Sequence, residues 1–317
     1  MQKKPMVILT GPTAVGKTAL SIALAKRING AIISADSMQV YKYMDIGSAK
    51  IMPQEMDGVR HYLVDVLRPE EEFHIVRFKE MAKAALAEIY ANGQIPVIVG
   101  GTGFYIQALL YDIDFDDQEA DEAFRSKMQH FADENGAEAL HEKLREIDPD
   151  SYEAIHANNV KRVIRALEYF HLTGQPISAH NEAERQKESP YNFAYFVLND
   201  DRDKLYARIE ARIDQMLQQG LVEEVMRLKE MGYHREMVSM QGLGYKEILD
   251  YLDGKTTLDE AVYILKRDTR HFAKRQLTWF KRERDVCWID KPSYHDNETE
   301  ILDAMLAILR EKQIIAD

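Results

Sequence analysis

The chain has 317 residues, 45% hydrophobic and 30% charged, with a formal net charge of −12; this suits one large globular domain carrying an insert, or two small domains. Its single cysteine, Cys287, excludes an intramolecular disulfide and any Cys-rich zinc module. The N-terminal MQKKPMVILTG lacks the apolar stretch and cleavage site of a secretory signal, and no run approaches the roughly 18 apolar residues of a membrane span. A cytoplasmic protein without membrane contact is expected.

In chain order, MVILTG is a short apolar run entering a glycine turn, and ALSIALAKRI after it has apolar residues at helical spacing, so strand, loop and helix are predicted. AIISAD reads as a second strand. A helix from about Val76 to Tyr90 leads through NGQ into IPVIVGG, a β-branched strand of the buried type stopped by glycines. Strands alternating with helices predict a parallel, doubly wound sheet. After Tyr111 the sequence turns acidic and helix-rich, without a strand signal until YNFAYFVLN at residue 191. The expected class is therefore α/β, a P-loop NTPase-like parallel sheet flanked by helices with an inserted all-helical subdomain. The core occupies 1–115 and 191–317, and the insertion 116–190. Leu205, Ile209, Ile213, Met216, Leu217, Leu221, Val225 and Leu228 fall on one helical face ended by Gly232. Thr257 and Glu260 have capping-box spacing at the start of a long helix running to about Arg284, and Cys287 is expected buried in the strand-like DVCWID.

The most specific motif is GPTAVGKT, comprising Gly11, Pro12, Thr13, Ala14, Val15, Gly16, Lys17 and Thr18, set between a predicted strand and a predicted helix. Glycines let backbone N–H groups close around phosphate oxygens, Lys17 supplies a point charge, and the Thr18 hydroxyl suits Mg²⁺. The motif implies a bound di- or triphosphate without specifying a nucleotide. Asp36 sits at the carboxyl end of the second strand, where ligands of parallel sheets bind. A general base, an indirect Mg²⁺ ligand and a turn cap all remain open for it. GGTGFYIQALL offers Thr102 and Tyr105 to the same crevice, although a tight turn with its tyrosine in the core is the plainer reading. Arg208 and Arg212, one helical turn apart, could clamp a leaving diphosphate or simply face solvent. His61, His74 and His271 lack metal-ligand spacing and are read as non-ligands.

The net charge argues against a nucleic-acid partner, but its distribution does not. Acidic residues crowd 112–153, whereas cations concentrate from Lys266 to Arg284. Within HFAKRQLTWFKR and the turn before it, residues 266, 270 and 274 share a helical face, while Phe272 and Leu277 suit the buried one. RNA phosphate contact and a merely solvated cationic face are equally compatible with that pattern.

Across nearly its whole length the chain resembles the bacterial tRNA dimethylallyltransferases, also called tRNA isopentenyltransferases. The likeness runs through GPTAVGKT, ADSMQVYKYMDIGSAK, GGTGFYIQAL, RIEARIDQMLQQGLVEEV, QGLGYKEI and HFAKRQLTWFKR in that order. It implies transfer of a dimethylallyl group from dimethylallyl diphosphate to N6 of the adenosine 3′ of the anticodon, position 37, in tRNAs reading codons that begin with U. By the same likeness the P-loop holds the diphosphate with Mg²⁺ on Thr18, Asp36 is the catalytic aspartate, and Arg212 rather than Arg208 is favoured as the diphosphate contact. Ser37, Met38, Gln39 and Thr102 match the segments beside the target nucleotide. Lys161, Arg162 and Arg165 match an RNA-facing stretch of the insertion, and Arg125, Lys274 and Arg275 are also assigned to the tRNA. The expected partner is a tRNA anticodon stem-loop met by a monomer. Where relatives commonly carry paired histidines this chain has His61-Tyr62, and His74 stands where a small hydroxyl residue is frequent; neither is expected at the chemistry. A P-loop kinase, a prenyltransferase acting on free adenine nucleotides and a non-catalytic RNA-binding module are the competing readings.

Overall fold

The computed structural model describes residues 3–115 and 121–316; the expected first residues of the insertion, 116–120, lie outside the described residues. The chain divides into two compact units, one formed by Met1–Leu110 with Pro190–Asp317 and the other by Tyr111–Ser189. The first unit begins with β1 (Lys4–Thr10), α1 (Lys17–Arg27), β2 (Gly30–Ser34), a short β3 (His61–Tyr62), α2 (Ile75–Ala91), β4 (Ile95–Gly100) and α3 (Gly103–Leu110). The second holds α4 (Glu122–Asn135), α5 (Ala137–Glu142), α6 (Leu144–Ile147), α7 (Pro149–Ala154), α8 (Val160–Thr173) and α9 (Ile177–Gln186). The first unit resumes with β5 (Tyr191–Asn199), α10 (Arg202–Gln218), α11 (Leu221–Glu230), α12 (Tyr245–Leu252), α13 (Leu258–Phe280), β6 (Val286–Asp290) and α14 (Glu298–Glu311).

The six strands form one parallel sheet in the order β3-β2-β4-β1-β5-β6. β1 lies inside it, pairing Val7 with Val97 of β4 and with Ala194 of β5. Helices cover both faces of such a sheet, so the strand needs apolar residues without alternation, and Met6, Val7, Ile8 and Leu9 are all fully buried. Each such side chain contributes roughly 1.5–3 kcal/mol relative to exposure. Parallel pairing also brings the carboxyl ends of β1, β2, β4, β5 and β6 to one edge, where the loops that follow them meet.

Two details depart from the sequence reading. The apolar face from Leu205 to Leu228 belongs to two helices, because Gly220 adopts φ 99° and separates α10 from α11. Cys287 is half-buried, since β6 is an edge strand paired only with β5. The capping box stands as expected: the Glu260 N–H donates to Thr257 Oγ1 at 3.3 Å and the Thr257 N–H to Glu260 Oε2 at 3.1 Å. α13 ends at Phe280 rather than Arg284.

The second unit is helical and has its own core, built from Met128, Leu140, Leu144, Val163, Ile164 and Leu167 among others. Its buried charges are satisfied. Asp148 accepts from the N–H and hydroxyl groups of Ser151 and Ser178, tying α7 to α9. Among the described residues, no helix is long and apolar enough to cross a membrane.

Candidate active site

The loop between β1 and α1 is shaped by its glycines. Gly11 has φ 143°, and a Cβ there would stand 2.5 Å from the Leu198 carbonyl oxygen of β5, so the position excludes any side chain. Ala14 at φ 62° and Gly16 at φ 99° turn the loop into a concave run of amides at the N-terminus of α1. Pro12 and Val15 are buried and anchor the loop, while Thr13, Ala14, Gly16, Lys17 and Thr18 line the cavity above it. Lys17 Nζ donates to the carbonyls of Gly11 at 2.9 Å and Pro12 at 2.8 Å, which leaves one of its three hydrogens for an anion. Burial lowers the Lys17 pKa to about 8; nearby Asp36 opposes that shift and Arg212 adds to it.

Asp36 follows β2 and faces this loop. Its Oδ1 accepts from the N–H groups of Met38 at 2.8 Å and Gln39 at 3.3 Å. The turn cap is thus real and engages one oxygen, and the second oxygen remains for chemistry. Gly100 abuts the same turn, because a Cβ there would lie 2.2 Å from the Ala35 carbonyl oxygen.

α10 carries both arginines, in different settings. Arg208 pairs with the buried Asp200 carboxylate and donates from Nε to the Ala14 carbonyl at 3.1 Å, buttressing the loop at the edge of the cavity. Arg212 has no hydrogen bond or ion pair among the described residues and lines the cavity. Burial lowers its pKa, and Asp36 partly restores it.

Two adjoining chambers result. The polar one, about 500 Å³, is lined by Thr13, Gly16, Lys17, Thr18, Arg208 and Gln215 among others. The other, about 340 Å³, has an apolar wall of Met38, Ile209, Ile213, Met216, Leu243 and Leu265, and Ser37 and Thr102 also line it. Asp36, Arg212, Phe272 and Gln276 line both. Beneath Asp36 a smaller cavity of about 60 Å³ is lined by Thr18, Gln39 and His61, so His61 stands nearer the site than its sequence context suggested. His61 Nδ1 donates to the Val59 carbonyl at 2.9 Å, which assigns the tautomer with a free Nε2, and burial lowers its pKa.

Other candidates lie elsewhere. Tyr105 is in the core, stacked on Phe78 at 4.5 Å and donating to the Phe73 carbonyl at 3.0 Å. Phe272 lines the chambers instead of the core side of α13. Of the three cations on one face of α13, Lys266 pairs with Asp214 at 2.6 Å and Arg270 with Glu210, both on α10; Lys274 alone stays free among the described residues. Lys274, Arg275, Thr278 and Arg282 line an outer groove of about 420 Å³, and Arg275 also reaches the apolar chamber. In the second unit, Arg125, Lys161 and Arg165 line an open cleft of about 570 Å³, with Arg162 exposed outside it. Arg125 and Arg165 both bind the fully buried Glu168, at 2.8 and 2.9 Å. Burial opposes the charge on Glu168, yet the arginines hold its carboxyl below the usual range.

Sequence reasoning passed over two residues here. Gln276 of α13 accepts from the Thr13 N–H at 2.8 Å and donates to the Gly101 carbonyl at 3.0 Å, so the Thr13 amide serves the scaffold rather than an anion. Lys291, just after β6, donates to the Val15 carbonyl at 3.4 Å at the mouth of the loop. Its place at the carboxyl edge of the sheet was the available signal; Gln276 was hidden among cations. Gln276→Glu sets a carboxylate against the Gly101 carbonyl. Thermal denaturation should register a loss of about 1–3 kcal/mol, and an unchanged Tm would remove the bridge from this account.

Comparison with known proteins places these features in context. The family model described as IPP transferase matches residues 39–283. A tRNA dimethylallyltransferase of Lachnoclostridium phytofermentans is 62% identical over 312 residues, covering 98% of this chain and 99% of that protein. The crystal structure of a full-length tRNA isopentenylpyrophosphate transferase from Bacillus halodurans superposes with a TM-score of 0.73 at 45% identity, covering 98% of both chains. A eukaryotic dimethylallyltransferase captured acting on tRNA gives a TM-score of 0.74 at 29% identity, over 90% of this chain and 74% of that one. With the P-loop cradle, the aspartate turn and the QGLGYKEI and AKRQLTWF segments all meeting at one sheet edge, the chain belongs to the IPP transferase family.

Proposed function

We propose that the protein transfers the dimethylallyl group of dimethylallyl diphosphate to N6 of the adenosine 3′ of the anticodon, position 37, in tRNAs reading codons that begin with U. The observation that carries this reading is the junction of two chambers at Asp36 and Arg212: an anion cradle on one side and an apolar wall on the other. A short allylic diphosphate has that same division between a charged head and an apolar tail. In the reaction the allylic C1–O bond breaks, the N6–C1 bond forms, and the N6 proton passes to the free oxygen of Asp36. Charge building on the departing diphosphate is met by Lys17, the loop amides and Arg212. The Thr18 hydroxyl is an oxygen donor that fits Mg²⁺, which when bound would neutralise diphosphate charge. The target base leaves the anticodon-loop stack first, which costs less in a loop than in a duplex. We read the protein as a cytoplasmic monomer in this role.

Incubation with dimethylallyl diphosphate, Mg²⁺ and unmodified tRNA should yield isopentenyladenosine and diphosphate. Absence of product, or a requirement for ATP, would overturn the assignment. RNA affinity should fall with salt despite the acidic total. Lys274→Ala and Arg275→Ala should each flatten the slope of log K against log salt by about one unit for every phosphate the variant no longer neutralises. An unchanged slope in both variants would show that this face of α13 is turned away from the RNA.

A further inference from the structure

Glu224 of α11 is 2% exposed and has no part in the chemistry above. Its carboxylate is nonetheless fully engaged. Oε2 accepts from the backbone N–H groups of Asp45 at 3.0 Å and Ile46 at 2.7 Å; Oε1 accepts from the Gly47 N–H at 3.0 Å and the Tyr245 hydroxyl at 2.9 Å. Four donors on two oxygens is the acceptor pattern of an ionised carboxylate, and three successive amides converging on it form an anion nest. The nest belongs to the turn 45–48, whose Gly47 and Ser48 line the apolar chamber, Ser48 bordering the polar one as well. Gly47 also packs on the Tyr245 ring so closely that a Cβ there would lie 2.6 Å from Cζ. On its other side the turn is held by Gln39, which donates to the Ala49 carbonyl at 3.1 Å.

We propose that Glu224, with Tyr245, is a positioning residue that latches the turn 45–48 against the chamber and so fixes the wall facing Asp36. The proposal rests on that chamber being the place of transfer. Among the described residues Glu224 and Tyr245 make no hydrogen bond to the P-loop and line neither chamber, so the latch acts only through the turn, while the charged head of the donor keeps its contacts with Lys17, the loop amides and Arg212. Glu224→Gln keeps the size of the side chain but turns an NH₂ group toward N–H donors. Tyr245→Phe removes one donor of four.

Hydrogen exchange of residues 45–47, followed in the full chain, should be at least about tenfold faster in Glu224→Gln than in the parent. The single-turnover rate with both substrates saturating should fall between about tenfold and 100-fold. Donor Kd should stay within about threefold, a division that a role confined to stability would not produce. Tyr245→Phe should give a smaller effect of the same kind. If Glu224→Gln does not fold, Gly47→Ala pushes the turn off the latch from the opposite side, without left-handed backbone to strain, and should show the same division. Exchange that does not change overturns the latch, as does faster exchange with a rate within about twofold of the parent. The exchange result is independent of activity, so a parent that makes no isopentenyladenosine counts against the proposed function alone.

Discussion

Replacing Asp36 by asparagine is expected to lower the single-turnover rate by roughly 10²- to 10⁴-fold with tRNA and donor both saturating, because the variant cannot accept a proton. The cap should survive, since asparagine retains an acceptor oxygen for the Met38 and Gln39 amides. Affinity for both substrates should therefore persist. Were Asp36 needed chiefly to organise Mg²⁺, the variant would instead bind donor less well and regain part of its rate as Mg²⁺ is raised. A near-normal rate would leave only the cap.

The second large effect separates the two arginines of α10. Arg212→Ala should lower the single-turnover rate by roughly 10²- to 10³-fold, as expected for losing one preorganised donor to a developing anion. Its Tm should hardly move, because Arg212 has no partner among the described residues. Arg208→Ala should reverse the pattern: it leaves the buried Asp200 carboxylate without its guanidinium and the loop without its buttress, at a cost of about 1–3 kcal/mol. Equal kinetic losses without any difference in Tm would contradict this division.

The P-loop, the β2 aspartate and the sheet were legible in the sequence because each depends on short-range pattern: glycines at fixed spacing, β-branched runs, a capping box. The break at Gly220 was missed because Leu221, Val225 and Leu228 continue the apolar period across it, and one residue in left-handed backbone leaves little mark on periodicity. Arg208 and Arg212 look alike in sequence, since their difference lies in Asp200 and the Ala14 carbonyl, both set by tertiary structure. The cationic face of α13 was overestimated for the same reason, as Asp214 and Glu210 that neutralise it are some 50 to 60 residues away in the chain. Lys291 lies outside every segment that carries the likeness, and Gln276 and Glu224 lie inside such segments without a signal of their own; each matters through a backbone group that only folding brings near.

The central strand has a further consequence for the newly made chain. β1 leaves the ribosome well before its neighbour β5, which ends at Asn199 and arrives only after every residue of the helical unit. The sheet that builds the site cannot close until then, while the helical unit already holds all the residues of its own core. Throughout that interval β1 presents an unpaired apolar edge, the kind of surface from which aggregation starts and which chaperones recognise.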